Sequence, residues 1–273
     1  MSPAIHSDVT AIPIVLFNPC IVIPFYNHAE SITAVVGSLQ SLQLHCYLVN
    51  DGSDDSCNAV LARLSNEHSP WLQIISYQPN QGKGAAVMTG VEVAARDGYT
   101  HVAQIDADGQ HRAQDLQQLL QLARDNLDAM ITGYGEFDDS VPRSRLYGRY
   151  LTHIWVWINT LSFQVRDSMC GLRVYPVAPT VAIWRNTRLG TRMSFDIEIL
   201  VRLCWRGIRI INVKVPVTYP MDGVSHFKVL RDNVQITLAH ARMFIGMVLR
   251  LPLIMWHNVR RWLDASPIHT SPS

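Results

Sequence analysis

Two carboxylates, an amide and an imidazole fall within six consecutive residues, Asp106-Ala107-Asp108-Gly109-Gln110-His111. Oxygen donors of this kind suit a hard divalent cation such as Mg2+ or Mn2+, which takes one or two carboxylates and leaves places for waters and substrate phosphates. A nucleotide-linked substrate is the natural expectation. The alternative is structural: Asp108-Gly109 is a turn and Asp108 caps the next helix. Three further stretches carry related groups. Pro24-Phe25-Tyr26-Asn27-His28-Ala29-Glu30 mixes aromatic and acidic side chains, and Asn50-Asp51-Gly52-Ser53-Asp54-Asp55 is an acidic turn whose carboxylates could accept from a nucleobase or ribose. Asp54 and Asp55 read equally as a helix cap. In Asn80-Gln81-Gly82-Lys83-Gly84-Ala85-Ala86 a lysine lies among glycines ahead of a helix, so main-chain N–H groups and one cation can meet an anion. The GxxxxGK[ST] spacing of an ATP loop is absent.

Each stretch follows an apolar run with strand character: residues 20–24, 45–50, 72–77 and 99–105. Helical periodicity follows over 28–40, with Asn27 and Glu30 spaced as a capping box, and over 55–67, 84–96 and 112–125. A further strand is predicted over 128–132. Strands alternating with helices of this length predict an α/β fold with a mostly parallel sheet flanked by helices. All four polar stretches then gather at the carboxyl ends of strands, where open α/β sheets bind ligands. Beyond residue 133 the pattern predicts helices over 145–163, 195–206 and 235–249 and a strand over 208–219. Residues 1–19 read as an extension, 20–222 as the main domain, and 223–273 as an amphipathic helical segment facing acceptor or membrane, with a disordered tail.

With 273 residues and a formal net charge of +1, the chain can bury a large core and is no nucleic-acid binder. Its five cysteines, at 20, 46, 57, 170 and 204, have no CxxC spacing and suggest neither a disulfide framework nor structural zinc. A reducing, cytoplasmic setting fits that usage. No signal peptide is read in the first residues. The apolar stretches 154–163 and 243–256, the latter broken by Arg250 and Pro252, fall short of a bilayer span, which needs roughly 18–20 residues. Tryptophans and arginines around 154–163 and 241–263 have the character of interfacial anchors; core packing or a homo-oligomer contact is the alternative.

IPFYN at 23–27, NDGSDD at 50–55, NQGKGAA at 80–86 and DADGQH at 106–111, in that order, resemble the inverting family 2 glycosyltransferases of GT-A fold. The DADGQH form, with DSMCGLR at 167–173 and FDIE at 195–198, is similar to the polyprenyl-phosphate (dolichyl-phosphate mannose type) branch. YPMDGVSHFK at 219–228, followed by Asp232-Asn233, looks like a subgroup found near lipid-modifying and aryl-polyene genes. The resemblance spans roughly residues 20–245 and implies a nucleoside-diphosphate sugar donor, Mg2+ or Mn2+, and a lipid-linked acceptor at the inner membrane face. It implies that Asp51 holds the base, with Pro24, Tyr26 and Glu30 lining the same pocket and Lys83 near the diphosphate. Asp106 would contact ribose or a metal-bound water, Asp108 would ligate the metal, and Gln110 would complete that edge.

A phosphate acceptor is already a dianion near neutral pH and needs no general base. A hydroxyl acceptor, the rival reading, needs a carboxylate in reach; a third reading is a non-catalytic nucleotide-sugar binder. Asp196 and Glu198 lie two apart on a helix and cannot share a face. Glu198 is expected to face the site as base or as partner to an arginine, the alternative being an ion pair with Arg202 one turn on. Arg143, Arg145, Arg149, Arg173 and Lys228 are the cations expected to hold an acceptor phosphate. His111 is expected to orient its neighbours.

Overall fold

In the computed structural model, which describes residues 16–136, 143–216 and 229–265, apolar side chains along β1 (Pro19–Phe25) alternate between two cores. Cys20 and Val22 join one cluster, and Ile21, Ile23 and Phe25 the other. A strand apolar on both sides must be covered twice, and helices lie on both faces. One layer contains α1 (Ala29–Leu39), α2 (Asp55–Glu67) and α4 (Ala113–Asp125), which bury Ile32, Leu64 and Leu116 against Leu48 of β2 (Cys46–Asp51). The other contains α3 (Lys83–Arg96), α6 (Val177–Asn186) and α7 (Phe195–Trp205), which bury Val91, Val181 and Ile199.

The remaining strands are β3 (Leu72–Tyr77), β4 (His101–Gln104), β5 (Met130–Glu136), β6 (Arg173–Pro176) and β7 (Ile210–Pro216), in the order β3-β2-β1-β4-β6-β5-β7. The first four are parallel, β6 runs antiparallel between β4 and β5, and β5 pairs parallel with β7. Neither β6 nor α6 is predicted from the sequence. Four residues containing an arginine carry no apolar period, and Pro179 in the first turn of α6 reads as a breaker although a missing N–H is tolerated there. The predicted strand over 208–219 runs beyond the described residues at 217.

α5 (Arg143–Thr160) packs against α8 (Val229–Leu249), and α9 (Leu251–Ala265) leaves α8 at a bend of 81°, with Pro252 in its first turn. Among the described residues no single helix is long and apolar enough to cross a membrane, though this bent pair passes by length and composition. His240 of α8 is 4% exposed; its Nδ1 lies 3.2 Å from the Asn159 amide, and its Nε2 is buried without a partner. Burial pushes the imidazole down to about 4.

Protonation of His240 therefore favours the unfolded chain, whose histidines titrate near 6.5. The stability it protects is complete above that value and is lost as pH falls toward about 4, with a ceiling on the order of 3 kcal/mol. Thermal unfolding of His240→Leu and wild type between pH 7 and 4 should show a shallower decline in the variant; parallel curves would mean that the imidazole is solvated.

Candidate active site

The loops leaving β1, β2, β3 and β4 meet at one edge of the sheet and are tied to each other. Asn27, with φ of 54°, accepts from the main-chain N–H of Asp54 through its Oδ1 at 3.0 Å, and its own N–H donates to Ser53 Oγ at 3.0 Å. This overturns the predicted capping box: His28 occupies the N-cap of α1 without a side-chain bond, because Asn27 is turned toward the β2 loop. Asp54 caps α2 by accepting from the Cys57 N–H. Pro24 is buried within β1, Tyr26 is half-buried and Glu30 is exposed in the first turn of α1.

Asp51, the last residue of β2, is 2% exposed. Its carboxylate accepts from the Gln81 N–H at 2.7 Å, the Gly82 N–H at 2.8 Å and the Asn80 amide at 2.8 Å. With these bonds the Asp51 carboxylate, expected from the sequence to hold a nucleobase, fastens the 80–82 loop. Asn80 in turn accepts from Arg192 Nη1 at 2.9 Å. The sequence gives no sign of this bond, since the partners are 112 residues apart.

The 80–82 loop delivers Lys83 to the first position of α3, where its Nζ lies 2.7 Å from Asp106 Oδ2 and 3.0 Å from Asp196 Oδ2. Burial alone pushes the ammonium down, but the two carboxylates hold it well above the ordinary lysine range. Burial pushes Asp106 up, and Lys83, together with His111 and Gln104, more than reverses it. Asp108 is pushed up, first by burial and then by the charge of Asp106, although the Gln110 N–H donates to its Oδ1 at 3.0 Å. Burial lowers His111, whose Nδ1 is enclosed without a partner and whose Nε2 lies 3.8 Å from Cys170 Sγ. Two adjacent carboxylates, one of them costly to ionise beside the other, fit a divalent cation. Among the described residues no three His, Cys, Asp or Glu side chains form a cage, and Mg2+ or Mn2+ needs none, since phosphate and water oxygens complete the set. Of the residues expected to hold it, Gln110 meets Asp108 through its main chain.

Two expectations about the second half are corrected. Asp196, and not Glu198, joins Lys83 and Asp106; Glu198 instead accepts from the Gly190 N–H at 3.1 Å and sits 3.8 Å from Arg202. The helical rule that only one can face the metal loop holds, and contact with α3 decides which. Arg173 is completely buried and is no phosphate binder. Its guanidinium donates to the carbonyls of Cys170, Ser168 and Asp196 at 2.7, 2.8 and 2.7 Å, fixing the 168–170 loop to the start of α7. Arg149 pairs with Asp167, a buried carboxylate that burial would raise but that His153 and Arg149 hold well below its ordinary range. Arg143 and Arg145 fall in the first turn of α5 with side chains outside the described residues, as is all of Lys228. Gly171 presses against the Asp106 carboxylate, a contact the sequence does not reveal.

The family model described as Glycosyl transferase family 2 matches residues 20–187. The polyprenol monophosphomannose synthase of Mycolicibacterium smegmatis is 26% identical over 218 residues, 75% of this chain and 79% of that protein. The undecaprenyl-phosphate mannosyltransferase of Micrococcus luteus is 26% identical over 203 residues, 72% of this chain and 82% of that protein. Glucosyl-3-phosphoglycerate synthase from Mycobacterium tuberculosis, crystallised with phosphoglyceric acid, superimposes with a TM-score of 0.60 at 14% identity, covering 83% of this chain and 79% of that one. A mannosyltransferase from Pyrobaculum calidifontis, in complex with GDP-Man and Mn2+, gives 0.52 at 14% identity, covering 91% and 76%. The mixed, mostly parallel sheet flanked by helices is the GT-A fold.

A Cβ at position 171 would stand 1.9 Å from Asp106 Oδ2, so Gly171→Ala must displace that carboxylate from Lys83. The variant should fold with a loss of about 1–3 kcal/mol and bind Mn2+ at least about tenfold more weakly, as expected when a ligand's support moves. Unfolding curves and Mn2+ titration followed by electron paramagnetic resonance measure the two effects; unchanged Mn2+ affinity would remove Asp106 from the metal edge.

Proposed function

Because this chain belongs to glycosyl transferase family 2, we propose that it moves a sugar, with inversion, from a nucleoside diphosphate sugar to the phosphate of a polyprenyl-phosphate-like lipid. The observation that carries the reading is the Asp106 and Asp108 pair at the carboxyl end of β4, braced by Lys83. Asp106, Asp108 and Gln110 would hold Mg2+ or Mn2+, which supplies Lewis-acid charge for the departing nucleoside diphosphate. Lys83 fixes Asp106 and adds a positive charge beside the leaving group. Asp51 acts at one remove, by fixing the loop that presents Lys83. Tyr26, just after β1, and Glu30, in the first turn of α1, form the wall nearest the base in this reading, with Pro24 of β1 packed behind them.

The choice of acceptor follows from where the carboxylates are. Asp196 lies between Lys83 and Arg173, and Glu198 is taken up by Gly190 and Arg202. Neither is offered as a base to a hydroxyl. A phosphate dianion needs none, so a single displacement at the anomeric carbon proceeds without proton removal. The acceptor side belongs to the membrane in this reading, on its cytoplasmic face. Leu253, Trp256, Val259 and Trp262 of α9 are exposed apolar or interfacial side chains with Arg260 and Arg261 among them, the composition of a helix lying in a lipid surface.

Purified protein with Mn2+, a panel of UDP- and GDP-sugars and a membrane-lipid extract should yield labelled sugar in the lipid phase. Asp108→Asn should keep the fold and lose at least about a hundredfold in turnover, the scale set by several kcal/mol of lost charge stabilisation. No transfer from any donor would sink the transferase reading, and an active Asp108→Asn would remove the metal role.

A further inference from the structure

We infer that the cavity between the 190–194 turn and α8 binds the phosphate monoester head of an amphiphilic acceptor, whose apolar tail leaves along α8. Apart from Glu198, its lining residues are none that the sequence singles out, and its naming as an acceptor site rests on the transferase reading above. The cavity measures about 260 Å³ and is lined by Gly190, Arg192, Ser194, Glu198, Gln235 and Arg242. Arg202 lies 3.8 Å from the lining Glu198, and Arg202 and Arg250 share the Trp205 ring, their guanidinium carbons 5.7 and 5.4 Å from its centre. Arg192 and Arg242 in the lining and Arg202 beside Glu198 therefore outnumber that one carboxylate.

That carboxylate does not neutralise them. Glu198 is 3% exposed, accepts from the Gly190 N–H at 3.1 Å, and lies 3.8 Å from Arg202. Arg242 has no acidic partner among the described residues, and the Arg202 Nε–H is enclosed without an acceptor. Burial lowers Arg202, and the charges of Arg250 and Arg242 add to that in spite of Glu198. A cluster of cations that repel each other around a cavity, with donors left over, matches a dianionic phosphate, which accepts several charge-assisted bonds at once.

The position suits transfer. Arg192 also donates to Asn80, which clasps Asp51, and the Thr191 carbonyl accepts from the Gly84 N–H at 2.8 Å. The cavity wall is thus continuous with the loop that presents Lys83. On its other side the helix supplies a track. Leu238, Ile245 and Leu249 lie four before, three after and seven after Arg242, on one face of α8, and are 50%, 62% and 75% exposed. A cation flanked at helical spacing by open apolar side chains suits a ligand with a charged head and an apolar tail. Inorganic phosphate would fill the cavity alone.

The probes are geranyl phosphate, with inorganic phosphate and geraniol as its two halves, titrated calorimetrically into the full chain. Geranyl phosphate should bind more tightly than either half. Arg242→Ala should weaken it at least about tenfold while Arg242→Lys loses less, as expected for a point charge replacing a fork. Glu198→Gln keeps an acceptor for Gly190 and should tighten binding, an effect that a structural role does not produce. Leu238→Ser with Ile245→Ser should weaken geranyl phosphate and leave inorganic phosphate unchanged. No binding by wild type, equal affinity in Arg242→Ala, or equal affinity for inorganic and geranyl phosphate would overturn the assignment. Binding of UDP or GDP with Mn2+ is measured in parallel. If neither nucleotide binds while geranyl phosphate binds through Arg242, the transferase reading fails and the phosphate site stands.

Discussion

The ammonium of Lys83, held between Asp106 and Asp196, joins parts of the chain that otherwise have no reason to meet. Asp106 follows the central strand β4, Asp196 lies in the first turn of α7, and Lys83 begins α3. Each of the three charges is mostly withdrawn from water, so each is tolerable only with the others in place. Removing one member of a buried set of this kind costs on the order of 3–5 kcal/mol, because what remains is an unpaired charge in a poor solvent. Arg173 extends the same logic. It lies beneath the floor of the site with no exposure, reaches Asp196 and fixes the 168–170 loop through main-chain carbonyls. Buried charges that hold one another in this way keep the floor of the site in shape without any ligand.

The first half of the chain is legible in its sequence because its determinants are local. Strand runs and helix periods between residues 20 and 132 announce a parallel sheet, and the polar stretches fall at strand ends by counting alone. The second half resists for physical reasons. β6 is four residues long with a buried arginine in it, so neither length nor alternation marks it. Arg173 invites reading as a phosphate ligand because arginine is usually exposed, and only its carbonyl partners reveal otherwise. The choice between Asp196 and Glu198 is reduced to one by helix geometry, yet the winner is set by Lys83, over a hundred residues earlier. Asp51 shows a subtler mismatch. Its motif is local and conspicuous, while its bonds go to the next loop.

Charge is unevenly distributed over this end of the sheet. The Asp106 and Asp108 side is acidic, whereas the 190–202 region and α8 gather arginines around one carboxylate. The two regions meet at Asn80, Arg192 and Thr191, which touch both. Opposite fields side by side draw anions toward a place where their mutual repulsion is reduced.

The reversal of β6 decides which parts of the chain are free to change. In a parallel sheet the segment before a strand lies at the edge remote from the ligands. β6 runs backwards, so residues 167–172 reach the same edge as the end of β4, and Gly171 comes to rest on Asp106. The junction of β6 with α6 is sent to the far edge, beside His101 at the start of β4, and only after α6 does the chain return to the site, where the Thr191 carbonyl accepts from the Gly84 N–H. Lengthening or shortening the stretch before β6 moves the carboxylate floor; doing so at the junction after it moves only a covering helix. Among related chains, insertions are thus expected to be tolerated next to residue 177 and to be rare between 167 and 172, a pattern set by the direction of one short strand.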